Sequence, residues 1–313
     1  MVSTDQKTRE ALAEAFAWEG VDAHVQVVSP ETTEGVAAAA AGADALVVDA
    51  DTHVTERLLR ETSVRVVARA GIGVDNIDRE AAADLGIPVV NVPDYCTEEV
   101  ATHALALLLA TWRGLRPADD AVRQGDWPGP PVRTGRLSEA TVGLISFGDI
   151  ARRLVDLLSG FDVDVLAFDP YVDEGTLRTA GVESVRLPEL CRRSDLVSVH
   201  APLTEETRGL VSDEEFASMP RGAVVVNTGR GGVVDETALA DALAAGEIAG
   251  AGLDVLAEEP PDRLPTDHPN VVYTPHVGWY SEQAVEACAA AVAADVRRVL
   301  AGEEPANPVT GDW

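Results

Sequence analysis

Arg230 in NTGRGGVVDE, Glu259 in GLDVLAEEP and His276 in TPHVGWYSEQA could together perform acid–base chemistry on a small anion. A guanidinium grips a carboxylate through two parallel N–H bonds. An imidazole passes a proton to or from a reacting oxygen. A carboxylate beside the imidazole orients the ring and, by opposite charge, favours its protonated form. Read singly, each residue has a plainer account: Arg230 as a surface cation, Glu259 as a turn residue before Pro260, and His276 as a packed core histidine. Position separates the two accounts. Each residue follows a short apolar run (AVVVNTG, IAGAGLDV, VVYTP) that predicts a strand. Loops at strand ends are where open α/β sheets hold their ligands.

The elements that must position these residues alternate along the chain. The first hundred residues offer a helix, REALAEAFAWEG, and strand-like DAHVQVV, ADALVVDA, VRVVARAG and IPVVNVP, after an opening strand reduced to Met1–Ser3. Ala-rich helical pattern fills the intervals, which predicts a small parallel α/β unit. TEEVATHALALLLATWRGL predicts a long helix, with Thr97 as N-cap and Glu98 and Glu99 in the first turn. QGDWPGPPVRTG predicts a loop. A second α/β unit opens at TVGLISFG and continues through DIARRLVDLLSG, VDVLAFD, DLVSVH, AVVVNTG and IAGAGLDV. In DETALADALAAG, Asp235 caps a helix and Gly246 stops it. SEQAVEACAAAVAADVRRVLAG predicts the last helix.

Composition narrows the class. A chain of 313 residues suffices for two domains with large cores. No apolar run reaches about 18 residues, so no membrane partner is expected, and MVSTDQKTRE has no signal-peptide core. Cys96, Cys191 and Cys288 are scattered without a CxxC, which predicts a reducing cytoplasm, no disulfide framework and no metal site. The net charge is −29, and Lys7 is the only lysine. The acids are spread along the chain and not gathered in a tail, so they predict a folded, acid-coated surface. Such a surface suits molar salt, where the Debye length is about 3 Å, and points to a halophilic, archaeal source. The plainer alternative is an acidic bacterial protein from an Ala- and Arg-rich genome. With no basic footprint, nucleic acid is not an expected partner.

RAGIGVDNIDREAAADLGIPVVNVP, VSVHAPLTEETRGLV, VVVNTGRGGVVDETALADALAAGEIAGAGLDV and EEP…TPHVGW follow one another along the chain. In that order and approximate spacing, the chain resembles the D-isomer-specific 2-hydroxyacid dehydrogenases over nearly its whole length. With Trp279 three positions after His276, it is most similar to the branch of the C-terminal-binding-protein corepressors and their prokaryotic relatives. The resemblance implies two doubly wound parallel-sheet α/β domains. A Rossmann dinucleotide-binding domain, residues 100–284, would be inserted into a smaller flavodoxin-like substrate domain of residues 1–99 plus 285–313. It implies hydride transfer between NAD(H) and C2 of a small 2-hydroxy or 2-oxo acid, D-specific, with Arg230, Glu259 and His276 as the catalytic set, and a homodimer formed through the cofactor domain. A reading from another class is an NAD(H)-sensing, corepressor-like binding protein. The intact catalytic set and the lack of an extra interaction tail count against it. Among enzymes the alternative is a short phosphoglycerate dehydrogenase, without the regulatory C-terminal domain of the long forms; the shortage of lysine and Trp279 count against that.

A dinucleotide site needs glycines where strand turns into helix, so that the backbone and the helix N-terminus approach the pyrophosphate. GLISFGDIA places Ser146, Gly148 and Ala151 at the three positions of G-x-G-x-x-G, with Phe147, Asp149 and Ile150 between them. Alanine at the third is a known variant. Serine at the first, which makes the tight turn, and Asp149, where family members often carry arginine, are expected to weaken the cradle and lend weight to the sensor reading. Asp169, about 20 residues past Gly148, has the reach for the ribose hydroxyls and would repel a 2′-phosphate, so NAD is expected over NADP. Its plainer reading is a turn aspartate before Pro170. By resemblance, His200, Ala201, Pro202 and Thr207 flank the adenine side. Thr228, Gly229 and Gly278 also fall to the cofactor, and Asp254 to the nicotinamide carboxamide. Gly71, Ile72 and Gly73 in RAGIGVDN can face N–H groups to an anion. The resemblance gives this loop the substrate carboxylate, opposite Arg230. Arg69 adds charge there or is a solvated strand-end arginine. Trp279 lines the side-chain pocket in the resembled branch, favouring apolar or aromatic acids, or else is core. His103 is expected on a helix face, and His24, His53 and His268 at the surface.

Overall fold

A computed structural model describes residues 6–18, 26, 33–50, 52–127 and 135–310. The chain divides into two units, Met1–Cys96 with Tyr280–Trp313, and Thr97–Trp279. Both divisions fall where a helix begins: one starts at Thr97, the other at Glu282. The sequence-based boundaries near 99 and 284 lie inside the first turns of those helices.

The first unit carries a parallel sheet of β1 (Ala45–Val48), β2 (Val66–Arg69) and β3 (Val89–Val90), in that order. Its strands alternate as a two-residue period requires. Leu46, Val48, Val67 and Val89 join Val36, Leu58, Leu59 and Ala82 on one face. Val47, Val66, Ala68 and Val90 join Leu12, Phe16, Ala289, Val292 and Val296 on the other, so the helices Gln6–Trp18 and Glu282–Leu300 cover that face together. The chain then returns to β3: Val90 bridges Pro308 antiparallel, and Val309 N–H donates to the Val89 carbonyl at 2.9 Å. The expected opening strand at Met1–Ser3 lies outside the described residues, as does DAHVQVV except Gln26.

The second unit holds a seven-stranded parallel sheet. Its strands are β4 (Thr141–Ile145), β5 (Asp164–Phe168), β6 (Glu183–Ser184), β7 (Leu196–Val199), β8 (Val224–Asn227), β9 (Gly250–Leu253) and β10 (Val271–Tyr273). Their order is β10-β9-β8-β7-β4-β5-β6. The apolar runs that predicted the inner strands are buried on both faces, as a parallel sheet under helices demands. Val142, Leu144, Leu196 and Val226 pack with Leu107, Leu108 and Leu154. Ile145, Val197, Val199 and Val225 pack with Leu190, Phe216, Leu239 and Leu243. The order reverses between β4 and β7. That is the switch point at which doubly wound sheets open a crevice for ligand.

Candidate active site

Arg230, Glu259 and His276 follow β8, β9 and β10, which are neighbours in the sheet. Asn227 ends β8 and ties the turn beyond it. Its Oδ1 accepts Gly229 N–H at 3.0 Å, and its Nδ2 donates to the Arg230 carbonyl at 2.9 Å. Gly229 packs so closely that a Cβ would lie 2.8 Å from the Ala201 carbonyl oxygen. Arg230 is half-buried and extended, and its Nη1 donates to the Gly229 carbonyl at 2.9 Å. Gly231 next presses its Cα on the Leu256 backbone, where no side chain fits, so the loops after β8 and β9 are locked together.

Leu256 N–H donates to Glu259 Oε1 at 2.8 Å, and His276 Nδ1 lies 2.7 Å from Glu259 Oε2. His276 has a left-handed backbone, φ 50, which costs a residue with a side chain about 1–2 kcal/mol. Hydrogen bonds to its backbone hold it there: its N–H donates to the Asp254 carbonyl at 2.8 Å and to the Thr274 carbonyl at 3.0 Å, and its own carbonyl accepts Trp279 Nε1 at 2.9 Å. With Nδ1 engaged, Nε2 has no protein partner among the described residues. Both side chains of the pair are 35% exposed. Burial, the largest influence, pushes the Glu259 carboxyl up, but the hydrogen bond and charge of His276 and the Leu256 N–H together bring it below the usual range. Glu259 is therefore a carboxylate at neutral pH.

Asp254, 3% exposed, gathers the turn around His276. Its Oδ1 accepts Thr274 Oγ1 at 2.6 Å and Val277 N–H at 2.9 Å; its Oδ2 accepts Gly278 N–H at 2.9 Å. A Cβ on Gly278 would sit 2.7 Å from Oδ2. His103 Nε2 reaches the same cluster, 2.9 Å from Thr274 Oγ1 and 3.4 Å from Asp254 Oδ1. Burial pushes the Asp254 carboxyl up, yet these donors hold it below its ordinary value. Sequence reasoning left His103 on a helix face without a role. Its link to Thr274 spans 171 residues and has no local signal.

At the switch point, Ser146 follows β4 with φ 74, the left-handed region that glycine enters freely. Asp169 supports this strained turn. Its Oδ2 accepts Phe147 N–H at 2.8 Å and Ser146 Oγ at 3.3 Å, and its Oδ1 accepts Tyr171 N–H at 2.8 Å. The acid expected at the ribose thus already has three of its roughly four acceptor positions occupied. Gly148 caps the helix Asp149–Leu158 with no side-chain bond, is exposed, and has open space where a Cβ would point. Phe147 and Ala151 are fully buried; Ile150 is half-buried and Asp149 exposed in the first turn. An acid there suits the helix dipole, and it occupies the end that a phosphate would use. The turn therefore fits a dinucleotide through its backbone, in spite of two of its side chains.

Across the switch point, His200 Nε2 lies 2.9 Å from Ser198 Oγ and Nδ1 3.4 Å from Thr228 Oγ1. Burial pushes its pKa down to about 4, so the ring is neutral. Thr207 Oγ1 donates to the Pro202 carbonyl at 2.6 Å and accepts Thr204 N–H at 2.8 Å, closing that loop on itself. In the first unit, Arg69 folds its guanidinium over Gly71 and donates to the Ala70 carbonyl. Ile72 and Gly73 are half-buried beyond it.

A doubly wound parallel sheet with an arginine, a glutamate–histidine pair and a glycine-led helix N-terminus at its strand ends is of the dinucleotide-binding type. Residues 105–278 match the family model described as D-isomer specific 2-hydroxyacid dehydrogenase, NAD binding domain. The chain belongs to that family. It is 38% identical over 288 residues to the D-3-phosphoglycerate dehydrogenase of Methanocaldococcus jannaschii, covering 91% of this chain and 55% of that protein. It spans about half the length of the curated relatives it matches. Similar solved structures include the TT0316 protein from Thermus thermophilus, with TM-score 0.87, 32% identity and 96% of each chain covered. The apo D-lactate dehydrogenase from Escherichia coli aligns with TM-score 0.86 and 29% identity over 99% of this chain and 98% of that one.

Proposed function

We propose that the protein is an NAD-dependent dehydrogenase of small D-2-hydroxy acids. The observation that carries this reading is the 2.7 Å His276–Glu259 pair, with Nε2 left open, beside the Arg230 turn. A nicotinamide bound there would supply or accept the hydride exchanged with C2. Arg230 binds the substrate carboxylate and polarises the carbonyl. His276 Nε2 donates a proton to the developing alkoxide during reduction and removes it during oxidation, while Glu259 keeps the ring oriented through Nδ1. Gly148 and the helix behind it take the pyrophosphate, between Ser146 and Asp149. Asp169 takes the adenosine ribose and disfavours a 2′-phosphate. His200, Ala201, Pro202, Thr207, Thr228, Gly229 and Gly278 line the cofactor cleft, and Asp254 takes the carboxamide. The family pattern gives Arg69 and Gly71–Ile72–Gly73 the carboxylate.

Trp279, fixed on the His276 carbonyl, makes an apolar wall, which favours acids with uncharged side chains and the corepressor-like branch of the family. A second reading, phosphoglycerate oxidation, is favoured by the names of the curated relatives. The loops after β1, β2 and β3 speak against a doubly charged phosphate: Asp49, Asp75 and Asp94 share them with Arg69. An NADH-linked assay in molar KCl with a panel of 2-oxo acids, 3-phosphohydroxypyruvate included, separates these readings. The highest kcat/KM is expected on an acid with an uncharged side chain. Activity confined to the phosphorylated acid would install the second reading. NADH binding without reduction of any acid would leave an NAD-sensing protein instead.

The charge of −29 supports a salt-adapted, halophilic cytoplasm, and three buried free thiols suit a reducing one. Leu115, Val122 and Trp127, exposed at 57%, 48% and 83%, support a homodimer formed through the second unit. Light scattering that returned the mass of one chain would remove that assignment.

A further inference from the structure

The loop after β2 takes its shape from the end of β3. The Gly71 carbonyl accepts Val92 N–H at 3.0 Å, and the Ile72 carbonyl accepts Asn91 Nδ2 at 2.7 Å. Both peptides are trans; the cis bond among the described residues is Glu259–Pro260. In a trans peptide the C=O and N–H point in opposite directions. The Ile72 and Gly73 N–H groups therefore point away from β3, one after the other. Neither donates to a protein acceptor among the described residues. Gly71, at φ 153, permits the bend. Consecutive N–H groups turned to one side make a concavity for an anion.

Asn91 is itself anchored. It is 4% exposed, and its N–H donates to the Asn307 carbonyl at 3.3 Å. Asn307 donates twice to Asp295 Oδ2, from N–H at 3.0 Å and from Nδ2 at 2.9 Å, and Ala306 N–H donates to Asp295 Oδ1 at 2.6 Å. Asp295 is 1% exposed in the last helix. A leucine at 91 would fill the space but leave the Ile72 carbonyl without its donor. An aspartate would set two acceptors face to face.

We propose that Asn91 is a positioning residue for the substrate carboxylate. Its amide holds the Ile72 carbonyl and so aims the Ile72 and Gly73 N–H groups, with Asp295 and Asn307 as the anchor behind it. This rests on the reading that the loop receives the carboxylate. The test compares wild type with Asn91→Leu, and with Asn91→Ser, which keeps a shorter donor. It measures oxamate binding by calorimetry, NADH binding, and kcat/KM for the preferred 2-oxo acid and for its uncharged methyl ester. For Asn91→Leu, the oxamate Kd and the acid's KM are expected to rise about tenfold, the loss of one well-aimed bond to a charge. The preference for acid over ester falls by the same factor, while kcat and NADH binding change little because uniform binding is what is lost. Asn91→Ser falls between, and reads the effect if the leucine variant does not fold. Equal losses on acid and ester would make Asn91 a merely structural residue, and unchanged oxamate binding in both variants would overturn its role outright. Wild type that binds oxamate but reduces no 2-oxo acid would remove the catalytic reading alone. Wild type that binds no oxamate would remove the proposal.

Discussion

At the scale of single residues, two histidines in similar loops are prepared for opposite duties. His276 is bound to a carboxylate through one ring nitrogen and keeps the other open, the arrangement a proton donor needs. His276→Ala is expected to lower kcat by about 10²–10⁴-fold, the range for loss of a general acid, with NADH binding nearly unchanged. Wild-type-like turnover in single-turnover and steady-state assays would remove the mechanism. His200 meets hydroxyls and no carboxylate, and burial holds its pKa at about 4 against 6.5 for the free group. The sign follows from proton counts. Between those values the unfolded chain binds a proton that the folded one does not, so stability is lost as the pH falls through the window. The loss is on the order of 3 kcal/mol from pH 7 to pH 4. His200→Gln, which keeps hydrogen-bonding capacity without titrating, should show a stability profile flatter than wild type by that amount. Parallel denaturation profiles for the two proteins would refute it.

At the scale of elements, the turn between β4 and its helix sets two effects against each other. The exposed Asp149 would compete with the proposed pyrophosphate for the helix N-terminus, an interaction worth about 0.3–1 kcal/mol and screened by salt. Asp149→Arg should tighten NADH binding about two- to fivefold at low salt and less in molar KCl. Ser146 already sits in the left-handed region and occupies Asp169. Ser146→Gly should relieve the turn and free one acceptor position on Asp169, tightening NADH equally at both salts. Titrations in which neither variant differs from wild type would show that the turn has adapted around both residues. Much of this architecture was legible in the sequence. The inner strands announce themselves because burial on both faces demands unbroken apolar runs, and the helix Glu236–Ala245 because Asp235 accepts two N–H bonds at one end and Gly246 takes φ 66 at the other. The long helix was expected to run on, but it stops at Trp112; Gly114, at φ 57, starts another that spans Leu115–Arg123. The strand Glu183–Ser184 left no pattern because both residues are exposed at the sheet edge. The placement of Arg230, Glu259 and His276 after neighbouring strands was legible from the apolar runs before them. The His103–Asp254 cluster was not, since only the folded chain brings its members together. His268, expected at the surface, is half-buried and accepts Asn270 N–H at 3.3 Å; His24 lies outside the described residues.

At the scale of the whole molecule, charge dominates. Several arginines are satisfied by nearby acids, as in Arg57–Glu61 at 2.8 Å and Arg123–Asp119 at 2.6 Å. With 53 acids against 24 basic residues, the surplus can be relieved only by the solvent. The melting temperature is expected to climb steadily from about 0.1 M to molar KCl, as the Debye length shrinks from roughly 10 Å to 3 Å. A melting temperature flat across that range would end the halophile reading. The division of the chain adds a constraint in time. The second unit is one continuous stretch, Thr97–Trp279, whereas the first is closed by residues from Tyr280 onward. A ribosome that has delivered residue 279 has supplied every strand of the larger sheet. It has not yet supplied Ala289, Val292 and Val296, which cover Val66, Ala68, Leu12 and Phe16. During synthesis the segment before Thr97 therefore leaves the exit tunnel ahead of the second unit and is covered after it. Its apolar face waits through the translation of everything between.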